Sequence, residues 1–493
     1  MLKFLKNIFS QNACKLNGVC SIHPSINALS ELLIEEVREI SFYLVKLKEF
    51  NIQNSEIMAL CAQTLSIFML NTNFSKSDYL ELLNKLYSSK IDVKEKYLAY
   101  CSKFQIPCEV INSEFVISKN TDLSQLIEHS QNAIEKKQRN YDKNKQNLFD
   151  LITIFAKLSA INIVKIKKFQ KDFTDFDYKL LRFFSLTNSY SIRKEKLTRK
   201  ILEFCEISKE IRHKLNSLLE ENFGKIETTS INTSLQEGHS ILVSGDDLDE
   251  LRDVLETIEK NYKDENINVY THGSLIKAHF YPYFKNSKFL KGHFGQDDVE
   301  YDFPSFEGAI LVTQNFIQKI DNIYKGEIFS NKLISFEKLH KIKNGDFSPL
   351  IEASLNLKIS SFENIEEKKE AETLVEHNIE KVKKLIQEFS EKEIIIALGG
   401  IQKRFYLSDW EGKKVIGINC AFEGDLLEKI IENFAPKNIK ITLFVVNCDL
   451  ISFDTLLNNL NQNLEIYLAD CSNILVNPHA IFALRDEFKI KTI

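Results

Sequence analysis

Glycine and proline are scarce in this chain, at 15 and 7 among 493 residues. So few glycines leave little material for cofactor loops, and neither a G-x-G-x-x-G stretch nor a Walker lysine loop occurs. Positive charge is not in excess either. The formal net charge is -5, so the electrostatic footprint of a nucleic-acid binder is missing. No apolar run is long enough for an integral membrane segment: the most apolar window, LITIFAKLSAINIV at 151–164, carries Lys157 and reads as a buried helix. The nine cysteines are an odd number behind no secretory signal, which argues against a disulfide framework and for a reducing, cytoplasmic setting. The basic, acid-free start MLKFLKNIFSQN offers an alternative, an organelle matrix, if residues 1–12 act as a targeting segment.

What the chain does have is strong periodicity. NALSELLIEEVREISFYLVKLKEF, at 27–50, places apolar residues at three- and four-residue steps, with Ser25 before it as an expected N-cap. Similar patterns at 52–71, 76–104, 121–165 and 194–222 make the first half an all-helical domain. A polar, β-branched stretch at 223–238 reads as a linker. Beyond it, short continuous apolar runs alternate with amphipathic helices: SILVSG (240–245), INVYTHG (267–273), GAILVTQN (308–315), EIIIALGG (393–400), KKVIGINC (413–420), IKITLFVVNCD (439–449) and LEIYLADC (464–471). Continuous runs predict strands buried on both faces of mainly parallel sheets, joined by helical crossovers. The charged stretch 359–392 reads as helical and as the divider of two Rossmann-like α/β domains. The expected organisation is a helical domain at 1–236, a first α/β domain at 237–375 and a shortened second one at 376–493.

ILVSGDDLDEL, INVYTHGSLIKAHFYPYF, FEGAILVTQNFIQ and DFSPLIEASL follow one another in order and at characteristic spacing. VEHNIEKVKKLI, IIIALGG, LVNPHAIFALRDEFKIKTI and, near the start, CKLNGVCSIHPSINALSELLI extend the pattern over nearly the whole chain. Together they resemble the hybrid-cluster proteins, also called prismane proteins or hydroxylamine reductases. That resemblance implies a helical domain followed by two α/β domains. It also implies a four-cysteine iron–sulfur cubane near the N-terminus and a mixed iron–sulfur–oxygen cluster at the strand ends. The second cluster would be held by one histidine, two glutamates and four cysteines.

Carried over position by position, the resemblance implies the loss of that second cluster. SGDD stands where the family has SGHD, so Asp246 replaces the histidine ligand, and THGS stands for THGE, so Ser274 replaces a glutamate. Phe316 in TQNF takes the place of a cysteine, and Ile401 in LGGIQ that of the persulfidated cysteine. The region between Gly400 and Cys420 is shorter than in the family, so Cys420 matches one of two further cysteines, and which one stays open. Asp449 matches the last glutamate. Iron at such positions needs a donor with a lone pair, a thiolate, imidazole or carboxylate, and phenyl and alkyl side chains offer none. These six are vestigial positions; Asp246 is expected to cap the helix after it. Cys14 and Cys20 match the second cysteine pair of the cubane, but no first pair precedes them, so they and Cys420 are the remaining metal-ligand candidates.

Two other constellations exist on paper: a mononuclear metal site from Asp246, His272, Cys420 and Asp449, and a Ser–His–Asp triad from Ser274, His272 and Asp449, which has no nucleophile-elbow pattern behind it. His272 and His279 are otherwise expected to hydrogen-bond the backbone. The reading that follows is a degenerate homologue with no cofactor, acting as a structural or interaction subunit with a protein partner or as a homo-oligomer. Leu2, Leu5, Ile8 and Phe9 would line one side of a short docking helix. The alternative is a divergent hydroxylamine or nitric oxide reductase with a rearranged iron–sulfur cluster.

Overall fold

The computed structural model describes residues 24–67, 74–111, 122–140, 143–189, 191–227, 229–295, 299–314, 324, 326–336 and 338–357, and after them short segments between 373 and 492. Residues 1–12, Cys14, Cys20, Phe316, Ile401, Cys420 and Asp449 lie outside the described residues. The chain divides into two compact units, Met1–Asn216 with Leu450–Ile493, and Ser217–Asp449.

The first unit is built on helices α1 (Pro24–Glu49), α2 (Ser55–Ile67), α3 (Lys76–Phe104), α4 (Leu123–Asn140), α5 (Lys143–Phe169) and α6 (Asp175–Phe184), with the start of α7 (Lys194–Phe223). In α1 the apolar stripe buries Leu32, Leu33, Val37, Ile40 and Leu44, each worth about 1.5–3 kcal/mol against exposure. Ser25 is not the cap expected of it. Pro24 already opens the helix, a position where a missing N–H costs nothing. Caps elsewhere are made by Asn54, whose Oδ1 accepts from the Ile57 N–H at 3.0 Å, and by Ser75, which accepts from the Asp78 N–H at 3.1 Å. Helix α3 ends at Gln105 in the left-handed conformation, φ 53°. The long periodic stretch 121–165 resolves into α4 and α5. Between α1 and α3 a charge group is buried: the Lys90 ammonium donates to Glu36 at 2.7 Å and stands 3.8 Å from Glu39. Two strands also fall in this unit, β12 (Leu464–Leu468) pairing in parallel with β13 (Lys491–Thr492).

The second unit carries β1 (Thr229–Ile231), β2 (His239–Ser244), α8 (Leu248–Asn261), β3 (Ile267–His272), α9 (Pro282–Lys285), β4 (Leu290–His293), α10 (Val299–Ser305), β5 (Ala309–Val312), β6 (Ile328–Ser330), β7 (Leu339–Lys341) and α11 (Ser348–Asn356). Strands β8 (Thr373–Val375), β9 (Glu393–Gly399), β10 (Val415–Ile418) and β11 (Lys440–Val446), with helix α12 (Gly424–Phe434), complete it. Six strands form one sheet in the order β4-β3-β2-β5-β6-β7, and every pair in it is parallel. All residues of β3 and β5 are buried, as continuous apolar runs require of a sheet covered on both faces. β9 lies between β10 and β11, again in parallel. A helical stretch followed by parallel-sheet α/β regions is thus the architecture. All seven expected strands form. The stretch 223–238 is more than a linker, since it contains β1, and the stretch 359–392 is not wholly helical: its residues 373–375 are β8, antiparallel to β1.

Candidate functional site at the strand ends

Strand order reverses direction at β2, whose neighbours are β3 on one side and β5 on the other, so the crevice beyond their carboxyl ends is the natural ligand position. Gly245 turns the chain there with φ 128°, and a Cβ on it would lie 2.4 Å from Thr313 Oγ1, so only glycine permits this approach. Thr313 closes the crevice from the β5 side. Its hydroxyl donates to the Ser244 carbonyl at 3.0 Å and accepts from the Asp247 N–H at 3.4 Å.

The next residues open α8. Asp247, not Asp246, is its N-cap: Asp247 has extended backbone angles and its side chain accepts from the Glu250 N–H at 3.4 Å. Asp246 stands one residue too early to reach that donor and is half-buried in the turn. Asp247 and Glu250 also converge on Lys332, two residues past the end of β6. The Lys332 ammonium lies 2.8 Å from Asp247 Oδ2 and 2.5 Å from Glu250 Oε1. Burial alone would push this amine's pKa down, but the two carboxylates overcome that and hold it above the ordinary lysine range.

Histidines fill the other side of the crevice. His272, at the end of β3, faces Ser244 Oγ with Nδ1 at 2.8 Å and Asp302 Oδ2 with Nε2 at 3.1 Å. The ring therefore bridges β2 and α10, and both its nitrogens are committed. For His272 the bonds expected to run to backbone run to side chains, whereas His279 keeps one to the Gly292 backbone. A serine, a histidine and an aspartate do meet, and they are Ser244, His272 and Asp302; Asp449 of the expected triad lies outside the described residues. Ser244 and His272 are 3% and 2% exposed, so no substrate reaches that hydroxyl. Ser274 is half-buried in the 3-10 turn Gly273–Phe280 that follows. Beside it, the Thr271 hydroxyl contacts His279 Nε2 and His293 Nδ1, each at 2.9 Å. Burial lowers the pKa of His279 to about 4 and that of His293 well below the imidazole range, so both rings are neutral at pH 7.

A model of the Prismane/CO dehydrogenase family matches residues 8–465. The chain belongs to that family. Among its curated relatives, a hydroxylamine reductase of Thermosipho melanesiensis is 29% identical over 360 residues, covering 70% of this chain and 63% of the relative. That of Petrotoga mobilis is 27% identical over 369 residues, covering 70% and 64%, and that of Zymomonas mobilis 26% over 354 residues, covering 70% and 62%. The match thus spans just under two thirds of these relatives' length.

The Prismane family implies an iron cluster at these strand ends, and the described side chains do not fit one. Asp246 and Ser274 are brought to neighbouring strand ends, but the carboxylates of Asp247 and Glu250 already hold an ammonium, and the imidazole of His272 is saturated. Among the described residues no group of three or more His, Cys, Asp or Glu side chains is placed to hold a metal ion. Of the mononuclear set, only Asp246 and His272 fall within the described residues. Sequence reasoning missed Lys332, Ser244, Glu250 and Asp302. The signal for Lys332 was the polar break after the three-residue strand IFS, too short a run to be read as a strand end.

Proposed function

We propose that this member of the Prismane family is a non-catalytic subunit that has given up the hybrid cluster and works through protein contacts, with a partner or with a second copy of itself. The observation that carries this reading is the Lys332 ammonium between Asp247 and Glu250, a fixed side-chain cation beside the vestigial position Asp246. Phe316 and Ile401, without lone pairs, and the weaker donors Ser274 and Asp449 support it from the sequence. The division into domains at 1–236, 237–375 and 376–493, a cytoplasmic location and the docking role of residues 1–12 belong to the same proposal.

Iron decides it. Protein purified without oxygen is expected to contain less than one iron per chain and no broad visible absorption. Several irons per chain, together with reduction of hydroxylamine, would establish instead a reductase like the one for which the relatives are named, using a rearranged cluster that draws on Cys14, Cys20 and Cys420.

A further inference from the structure

A second recess lies in the first unit, between α6, the 3-10 turn Ser185–Asn188 after it, and the beginning of α7. Its volume is about 640 Å³, in the range of small-molecule sites. Five basic side chains line it, Lys179, Arg182, Arg193, Lys196 and Lys200, against a single carboxylate, Glu203. Lys200 is neutralised by Glu203, and Lys179 by Glu210 at 2.9 Å. Arg182, Arg193 and Lys196 have no acidic partner among the described residues. A chain of net charge -5 thus concentrates three uncompensated cations on one concave surface.

The rest of the lining is apolar or hydroxylic. Phe183 and Phe204 are stacked face to face, with centroids 3.8 Å apart and planes within 2°, and both are buried, which makes the wall between α6 and α7 rigid. Leu186, Ile192 and Ile207 add apolar surface, and the side chains of Ser189 and Ser191 add hydrogen-bonding hydroxyls. A recess lined by rings together with hydroxyls and guanidinium forks matches a ligand that is flat and apolar at one end and multiply anionic at the other. Guanidinium pairs with phosphate oxygens in bidentate fashion, which a lone carboxylate ligand would use only once.

We propose that this recess binds an organic phosphate of the nucleotide class. The assignment does not rest on the loss of the cluster, because the recess is remote in sequence from every cluster position and holds none of them.

Equilibrium binding to the full chain tests it, with ATP, AMP, inorganic pyrophosphate and adenosine as separate probes in low salt. ATP is expected to bind saturably at one site with a Kd below ~1 mM. AMP should bind more weakly, and adenosine at least tenfold more weakly than ATP. Arg193→Glu combined with Lys196→Glu reverses two exposed charges and leaves the buried ring pair intact, so an unchanged circular dichroism spectrum and melting curve are expected. In that variant ATP affinity should fall at least tenfold, while the control Lys288→Glu, in the other unit, leaves it unchanged. Pyrophosphate binding as tightly as ATP would overturn the nucleotide assignment in favour of a bare anion site. Failure of ATP to saturate, equal affinity for adenosine, or equal binding by the charge-reversed variant would each overturn the site itself.

Discussion

Replacing Lys332 by methionine probes what the strand ends now depend on. The substitution keeps the length and much of the volume of the side chain but removes the ammonium that the structure places against both Asp247 and Glu250. Those carboxylate side chains are 6% and 5% exposed, and that of Lys332 is 17% exposed. Deleting one partner of a buried ion pair costs about 3–5 kcal/mol, because the charge left behind stays desolvated. The partial exposure of the lysine puts this case near the lower end, about 3 kcal/mol. For a unit of this size that corresponds to a fall in melting temperature of roughly 6–12 °C. The raised pKa of Lys332 sets the sign of the pH dependence. Its contribution is complete below the ordinary lysine value of about 10.4 and fades only as pH rises through the higher value of the folded state. Melts followed by circular dichroism at pH 7.5 are therefore at full sensitivity. The triple variant Lys332→Met, Asp247→Asn, Glu250→Gln removes all three charges and keeps an asparagine at the helix N-cap, so it should recover more than half of the loss. If Lys332→Met melts within about 1 °C of the parent, the ammonium is not what balances this turn and the reasoning fails.

Two further outcomes follow from the first unit. Burial raises the pKa of Glu36 to about 7 despite the opposing Lys90, so folding favours its protonated form. Its stabilising contribution is complete below about 4.5 and is lost as pH rises to 7; the urea midpoint of this unit should fall over that interval in the parent and stay flatter in Glu36→Gln. Among the cysteines whose burial is described, Cys108 is exposed while Cys61, Cys101 and Cys205 are buried, and burial pushes the Cys61 thiol up. Native protein treated with a thiol reagent should therefore lose one fast-reacting equivalent on Cys108→Ser and none on Cys61→Ser; equal losses would show that α2 opens readily.

The large elements were legible because their signal is long. Runs such as ILV in β2 and AILV in β5 are apolar without alternation, and each lies buried within its strand. The strands LKGH, IFS and LHK were not legible. They are no longer than AILV but carry no run of apolar residues like it, and what fixes them is a neighbour in the sheet and not a pattern of their own. The same limit hid the site. Asp247 and Asp246 are chemically identical in the sequence, and only the helix register decides which one reaches the Glu250 N–H. Lys332 lies 85 residues from Asp247 and meets it because β6 stands two strands from β2, a fact of topology that no local window contains. The exchanges that the resemblance implies at Ser274, Phe316 and Ile401 rest on the opposite kind of signal: the motifs around them are kept in the sequence, so each change stands out against a fixed frame.

The tie between Lys332 and the α8 turn has a consequence for how the protein is made. A counter-ion that must be delivered has a supply, a redox state and an insertion step, and a sheet organised around it waits for all three. An ammonium encoded at position 332 arrives with the polypeptide itself, as soon as the ribosome has passed β6. Its partners at 247 and 250 have been synthesised by then. On the proposed reading, the ion pair at this turn therefore needs only the translated chain, and no insertion step stands between synthesis and its formation.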